Sequence, residues 1–422
     1  MNRMIPRSCK KKDCDQLRHP NLRRMLTANL LSGIGDWFNS VAVLSLLMEL
    51  TSGAMAVGIT LALRTLPHLL FGPLGGVLAD RCDKKKVMIF CDFARALLAL
   101  SFLLISSADD IWLVYLGTFS LVAFSSLYQP SRLSILPHLV EPEELATANA
   151  LDQSVYGMVM AIGSLVGGIF IALWGSEAAF VYNSLSFLLS GILIMRLAFH
   201  RPESSCPSPS TPQASYRDVL AFAAHTPIVR SILLMTALWP IGGGIINVLI
   251  SVYAYQVFHA GEMGIGLFYG AIGVGFILGG LATDRFAKKL YKTSFWSLSL
   301  EGVALILTSM APTIYMAAAC YALSTVAGGI GNASLRTLLM QHVRSDYQGR
   351  VFALEATVSN VLIGLSMLAG GWLLSFAEPR LVGFAAGTCV TLFSVVIGWS
   401  LWRASRQSVL ENLAPPSFVA EP

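Results

Sequence analysis

The sequence predicts an all-α membrane protein of twelve transmembrane helices arranged as two six-helix halves. Three observations predict it: a composition poor in charge, apolar runs of spanning length, and a repeat relating one half of the chain to the other. Of 422 residues, 55% are hydrophobic and 13% charged, against roughly 25% charged in a soluble domain. So little polar surface cannot clothe so much apolar chain in water, whereas lipid solvates an apolar exterior. A β-barrel would show short alternating segments rather than continuous runs such as 97–106.

A helix needs about 20 residues to cross the hydrocarbon core. Spans are expected near 24–50, 55–80, 86–107, 111–135, 146–174, 176–198, 226–258, 263–285, 292–311, 313–340, 349–376 and 380–404. They divide the chain into a basic tail (1–23), an N-terminal half (24–198), a linker (199–225), a C-terminal half (226–404) and a second tail (405–422). The linker includes a Pro- and Ser-rich stretch, 201–213, that cannot span. With this division, all of the 29 Lys and Arg except Arg64, Arg95 and Arg380 fall on one side. The positive-inside rule then places both termini in the cytoplasm. The net charge of +5 is thus a topology signal and implies no nucleic-acid partner. The first 22 residues are polar and the first apolar run is too long for a cleavable signal peptide. The seven cysteines are scattered, without a disulfide framework, and no cluster has metal-ligand spacing.

The repeat has an offset of about 204 residues. Gly75-Gly76-Val77-Leu78-Ala79-Asp80-Arg81 returns as Gly279-Gly280-Leu281-Ala282-Thr283-Asp284-Arg285, Arg132 as Arg336, and Asp152 as Glu355. Both copies lie on the same side, so the repeats are parallel, a known transporter architecture with its substrate site where the halves meet. Paired glycines let helix backbones approach closely. Asp80 and Asp284, with Arg81 and Arg285, are candidate gating charges: a carboxylate at the membrane surface suits a helix N-terminus and would latch that face shut. Lys84–Lys86 are read as enforcing topology alone.

Residues 76–86, Gly-Val-Leu-Ala-Asp-Arg-Cys-Asp-Lys-Lys-Lys, resemble the loop signature of the major facilitator superfamily, with Asp83 where a second glycine is usual. Gly35-Asp36-Trp37-Phe38, Leu66-Pro67, Pro130-Ser131-Arg132 through Leu136-Pro137, and Ala148-Asn149-Ala150-Leu151 are similar to its drug-efflux branch, related to macrolide and enterobactin exporters. The resemblance implies the major facilitator fold and a cargo cavity lined by helices 1, 4, 7 and 10. Its candidate lining residues are Asn39, Tyr128, Gln129, Trp239, Asn247, Tyr253, Asn332 and Ser334. A lining with few charges suits an amphipathic or lipophilic small molecule. Gly163, Gly167 and Gly168 in helix 5 resemble the antiporter motif of export-type members, although Ser164 stands where proline is usual and Val159 replaces the leading glycine. With Gly370 and Gly371 in helix 11 they are read as helix-packing positions.

An ionisable group inside a span is costly and therefore a functional candidate. Asp36 lies near the midplane of helix 1, and Arg64 lies in helix 2. Asp36 is either a protonation site coupling proton entry to cargo exit or half of a structural pair with Arg64, because a buried charge survives best when paired. Asp152 and Glu355, early in helices 5 and 11, are further coupling candidates; they also fit acids favoured in a first helical turn. Arg132 and Arg336 join the structural or gating charges. Asp92 and Arg95, three apart on helix 3, are expected to pair locally, while Glu301 in helix 9 has no evident partner.

No phosphate-binding loop or nucleophile–base arrangement is present, so neither an ATP-driven pump nor an enzyme is expected. No cofactor is implied, with the proton gradient as energy source. The expected function is a proton-coupled exporter of amphipathic small molecules, of drug or siderophore type, working by alternating access in a prokaryotic inner membrane. Its partners are the cargo and the bilayer, and it is expected to act as a monomer. A lysophospholipid flippase or an uptake carrier of the same fold is the alternative. A membrane-embedded enzyme would concentrate His, Asp or Cys at one depth, and a sensor would append a soluble domain.

Overall fold

The computed structural model describes residues 20–413 except 52, 142–143, 198–220, 223, 287–288 and 344. Most of the N-terminal tail and linker, and the end of the C-terminal tail, therefore lie outside the described residues, as do the side chains of Asp80, Arg81, Asp284 and Arg285.

Among the described residues twelve long helices follow one another. They are α1 (Pro20–Thr51), α2 (Ala54–Leu63 and Leu66–Arg81, broken at Arg64-Thr65), α3 (Lys84–Ser101), α4 (Ile111–Ile135), α5 (145–174) and α6 (176–195). After the linker come α7 (Pro227–Val252), α8 (Gly261–Phe286), α9 (Leu290–Met310), α10 (Ile314–His342), α11 (Ser345–Leu373) and α12 (Pro379–Leu413). Between α5 and α6 the chain turns at Gly175, whose φ of 80° breaks an otherwise continuous helix; glycine adopts that backbone without a Cβ penalty. By length and composition, ten helices among the described residues qualify to cross a membrane. The kinked Ser164–Met195 stretch counts there as one, and α9, which carries Lys292 and Glu301, is not included. Large apolar side chains cover the outside, with Leu97 72% and Leu281 75% exposed, as lipid contact requires.

Asp83 caps α3. Its Oδ1 accepts from the N–H groups of Lys85 at 3.0 Å and Lys86 at 3.3 Å, so the residue standing in the usual glycine position supplies an N-cap. The neighbouring cations act on helix C-termini. Lys84 Nζ donates to the Ser134 carbonyl at 3.3 Å, Lys85 Nζ to that of Leu197 at 2.7 Å, and Arg24 Nη1 to that of Arg196 at 2.8 Å. These carbonyls end α4 and α6 and have few helical donors left. The expectation that Lys84–Lys86 only set topology is corrected: two of them also tie helix ends together.

The chain forms two compact units, Met1–Ser208 with Ile250–Gly273, and Pro209–Leu249 with Val274–Pro422. In the first, α1 packs on α5 and α6, α2 on α4, and α3 between α4 and α6, over a core containing Met25, Met88, Ile135 and Ile194. In the second, α9 packs against α10 and α12, and Ile232, Leu298, Leu338 and Leu401 share the core. The repeated glycines do the same work in each. A Cβ on Gly75 would lie 2.7 Å from the Ser126 carbonyl oxygen of α4, and one on Gly279 2.8 Å from the Val326 carbonyl oxygen of α10.

Segment 250–273 brings the end of α7 and the start of α8 into the first unit. A Cβ on Gly168 of α5 would meet Gly266 Cα of α8 at 2.9 Å, and the Trp37 and Tyr269 ring centroids stand 5.1 Å apart.

Candidate functional site

Each unit holds an open cavity with charged and polar residues on its wall. That of the first, about 230 Å³, is lined by Asn29, Asp36, Arg95, Tyr128, Gln129, Arg132 and Asp152, among others. α1 and α4 present their polar faces here because residues three, four and seven apart share one side of a helix. Arg132 Nη1 donates to Asp152 Oδ1 at 2.5 Å and Arg132 Nε to Gln129 Oε1 at 3.0 Å. Asn29 Nδ2 donates to the same Asp152 oxygen at 3.2 Å, and Tyr128 OH reaches Asn29 Oδ1 at 3.5 Å. Behind this net Arg95 pairs with Asp92, whose other oxygen accepts from Ser190 Oγ at 2.8 Å. The Arg95 guanidinium lies between the rings of Tyr128 and Phe187, at 4.5 and 4.4 Å from their centroids, a favourable cation–π arrangement.

Asp36 sits in this cavity, half-buried. Arg95 and Arg64 are its attractive charge neighbours and Asp92 opposes it. The direct Asp36–Arg64 ion pair considered from the sequence is not formed: Arg64 Nη2 donates instead to Ser40 Oγ at 3.1 Å, and that hydroxyl donates to the Asp36 main-chain carbonyl at 2.7 Å. The break in α2 at Arg64-Thr65 aims the guanidinium at Ser40, one helical turn past Asp36. Among the described residues, no hydrogen bond joins the Asp36 carboxylate to a protein donor, which leaves it open to the cavity.

The second unit holds a larger cavity, about 480 Å³, lined by Thr236, Trp239, Asn332, Arg336, Glu355 and Ser359, among others. Arg336 is the charge neighbour of Glu355, as Arg132 is of Asp152. Trp239 Nε1 donates to Glu301 Oε1 at 3.0 Å, so the carboxylate that lacked a partner in the sequence finds one on α7.

Four of the eight proposed cavity residues, Tyr128, Gln129, Trp239 and Asn332, line these two cavities. The other four do not. Asn39 is buried with its Oδ1 unpartnered, Tyr253 packs near Phe258 and Phe268, Ser334 Oγ bonds back to the Ile330 carbonyl, and Asn247 lines neither. Asn39, Asn247 and Ser334 lie on lining helices and Tyr253 in the turn that follows α7, but since successive residues turn by about 100° a place on such a helix does not by itself put a side chain on the cavity wall. The glycines read as packing positions have these neighbours. Gly163 faces Trp37, Gly167 faces Phe38, Gly168 faces Gly266 and Gly370 faces Ile245, and Gly371 is buried. Asn29 was missed, although its place seven residues before Asp36 marks it as sharing that face. Also missed was a cluster in which Tyr255 OH lies 3.2 Å from both Glu49 Oε1 and Glu262 Oε1; Glu49 is 206 positions from Tyr255, and nothing in the sequence joins them.

Residues 14–414 match the family described as Transmembrane secretion effector, a division of the major facilitator superfamily. The chain belongs to this family. It is similar to the putative bacilysin exporter BacE of Bacillus amyloliquefaciens, at 23% identity over 86% of this chain and 90% of that one. It is similar also to macrolide efflux protein A of Streptococcus pyogenes, at 22% identity over 78% and 83%. A crystal structure of a bacterial homologue of the human lysosomal transporter Spinster, in an inward-facing and occupied conformation, superposes with a TM-score of 0.71 at 14% identity, covering 94% of this chain and 98% of that one. At that identity the likeness shows the fold alone. The protein is thus a major facilitator transporter with efflux-type relatives, a multi-pass protein of the bacterial inner membrane, and not an enzyme.

Proposed function

We propose that this transporter is a proton-coupled exporter of amphipathic small molecules, with Asp36 as the principal coupling group. The observation that carries the reading is the Asp36 carboxylate in the first cavity, in the field of Arg95 and Arg64 yet without a protein hydrogen bond. A carboxylate so placed is free to exchange a proton with cavity water, and its change of charge alters the balance around Arg95 and Arg132. The efflux-type relatives support the direction. The mixture of aromatic, amide, apolar and charged groups on the cavity walls supports an amphipathic cargo.

On this reading both termini are cytoplasmic and residues 24–198 and 226–404 are the moving halves of a monomer. Within the first unit Tyr255 OH reaches both Glu49 and Glu262. Asp152 with Arg132, and Glu355 with Arg336, are paired responders at the cytoplasmic ends, and Asp80 and Asp284 remain proposed latches there.

The test is internal pH in proteoliposomes carrying wild type or Asp36→Asn, challenged with lipophilic cations, macrolides and siderophores. Cargo-dependent proton flux is expected in wild type and is expected to vanish in the variant. Cargo movement that ignores the proton gradient would remove the coupling and favour a facilitator or a flippase.

A further inference from the structure

Glu301 is 4% exposed and holds one hydrogen bond, from Trp239 Nε1 to its Oε1 at 3.0 Å; its Oε2 has no partner. An ionised carboxylate offers about four acceptor sites, so a single donor leaves most of its charge uncompensated. The titratable groups on the elements packed around it are otherwise placed or engaged. On its own helix, Tyr291 bonds His342 of α10 at 3.1 Å and Lys292 is exposed. On α10, Arg336 is the charge neighbour of Glu355, and neither Cys320 nor Tyr321 bonds the carboxylate. On α12, Arg380 Nη1 donates to the Ser309 and Ala311 carbonyls, Arg403 lies over the Trp399 ring and Cys389 is exposed. On α7, Arg230 lines a separate apolar recess.

We propose that Glu301 is a proton-binding site of the C-terminal half, and that Trp239 transmits its protonation to the wall of the second cavity. This deepens the coupled-exporter reading and rests on it for its role in transport, though not for its chemistry. The seat admits a proton and nothing larger. Gly328 of α10 presses its backbone on the carboxylate so closely that a Cβ there would lie 2.7 Å from Oε1 and 2.9 Å from Oε2. A hydrated metal ion or a cargo amine has no room. The step is the simplest one: carboxylate plus proton gives carboxylic acid, with no other bond made or broken. The bound proton gives the acid a donor and weakens Oε1 as an acceptor for the indole.

Trp239 is placed to report that change. Its ring lines the second cavity while its Nε1 holds Glu301. Gly243, one turn further along α7, clears space for the ring: a Cβ there would lie 2.7 Å from Trp239 Cζ3. Loosening the Nε1 bond frees the indole to turn on a wall shared with Asn332 and Arg336.

The experiment is ¹⁹F NMR of the full-length protein labelled with 5-fluorotryptophan, with the Trp239 resonance assigned by its disappearance in Trp239→Phe. In wild type that resonance is expected to shift in the course of a pH titration. In Glu301→Gln, which keeps the Oε1 acceptor and the size, it is expected to remain and to stop moving. In Asp36→Asn it is expected to move as in wild type. A wild-type resonance that ignores pH, or one that moves equally in Glu301→Gln, overturns the proposal. Loss of the movement in Asp36→Asn overturns it too, because the signal would then originate in the other unit. None of these outcomes needs transport. If proteoliposomes show no proton flux while Trp239 still titrates through Glu301, the coupling reading fails and the site stands.

Discussion

On α3 and the turn that follows it, the outward side chains Phe93, Leu97, Leu100 and Leu104 are matched on α9 by Trp296, Leu300, Val303 and Leu307, each 203 positions further on and all exposed. In that register Phe295 and Leu298 stand where α3 carries Asp92 and Arg95. The first unit buries a cation and an anion on one helix, surrounds the cation with two rings and gives the anion a serine. The second carries apolar side chains at those places, Leu298 buried and Phe295 partly so, and puts a single acid, Glu301, three residues beyond Leu298. In a locked pair each partner stabilises the charge of the other. A lone acid with one donor answers to proton supply. The two halves of a repeated chain thus share a scaffold and differ in which buried charge is free to change.

The largest expected effect would break this comparison outright. Asp92→Asn leaves Arg95 buried without its counter-ion, and about 3–5 kcal/mol of stability should be lost, read as a lowered midpoint of thermal unfolding in detergent. Glu301→Gln should cost far less, since no cation is stranded. Equal losses would mean that the two acids are equivalent after all.

A middle-sized effect tests the shared scaffold. Gly75→Ala and Gly279→Ala each drive a methyl against a carbonyl oxygen on the neighbouring helix, and each should lose about 1–3 kcal/mol. Gly280→Ala, which meets nothing within 4 Å, is the control and should be near neutral by the same melting measurement. A large gap between the first two would show that the repeat does not carry its packing across.

The smallest effect sharpens the contrast at the cavity mouths. Asp152 is 5% exposed and bonded by both Arg132 and Asn29, whereas Arg336 beside Glu355 is exposed. Asp152→Asn should cost about 1–3 kcal/mol as a lost charged hydrogen bond, and Glu355→Gln about 0–1 kcal/mol as a screened pair. Thermal unfolding of the two variants side by side decides it; the reverse order would place the tighter ion pair in the second unit.

The candidate site was partly legible. Asp36 stands out in sequence because charge within an apolar run is rare, and Arg132, Asp152, Arg336 and Glu355 because the repeat returns them in register; all five line a cavity. The Asp36–Arg64 pairing was not legible, since the turn at Arg64-Thr65 redirects the guanidinium to Ser40. Nor was the partner of Glu301, 62 positions away on α7.

Composition, run lengths and the returning Gly-Gly…Asp-Arg segment determined by themselves that this is a helical membrane protein of two related halves. They do so because lipid solvation and backbone hydrogen bonding leave a chain of this apolarity few other solutions. Only the tertiary structure decided which face of each helix meets a cavity, that Arg95 serves Asp92 between two rings, and that residues 250–273 pack with the first unit. Those outcomes depend on helix rotation and on close approaches such as Gly168 to Gly266, where a difference of one residue turns a side chain by about 100°. Hydropathy averages over that rotation, and packing resolves it.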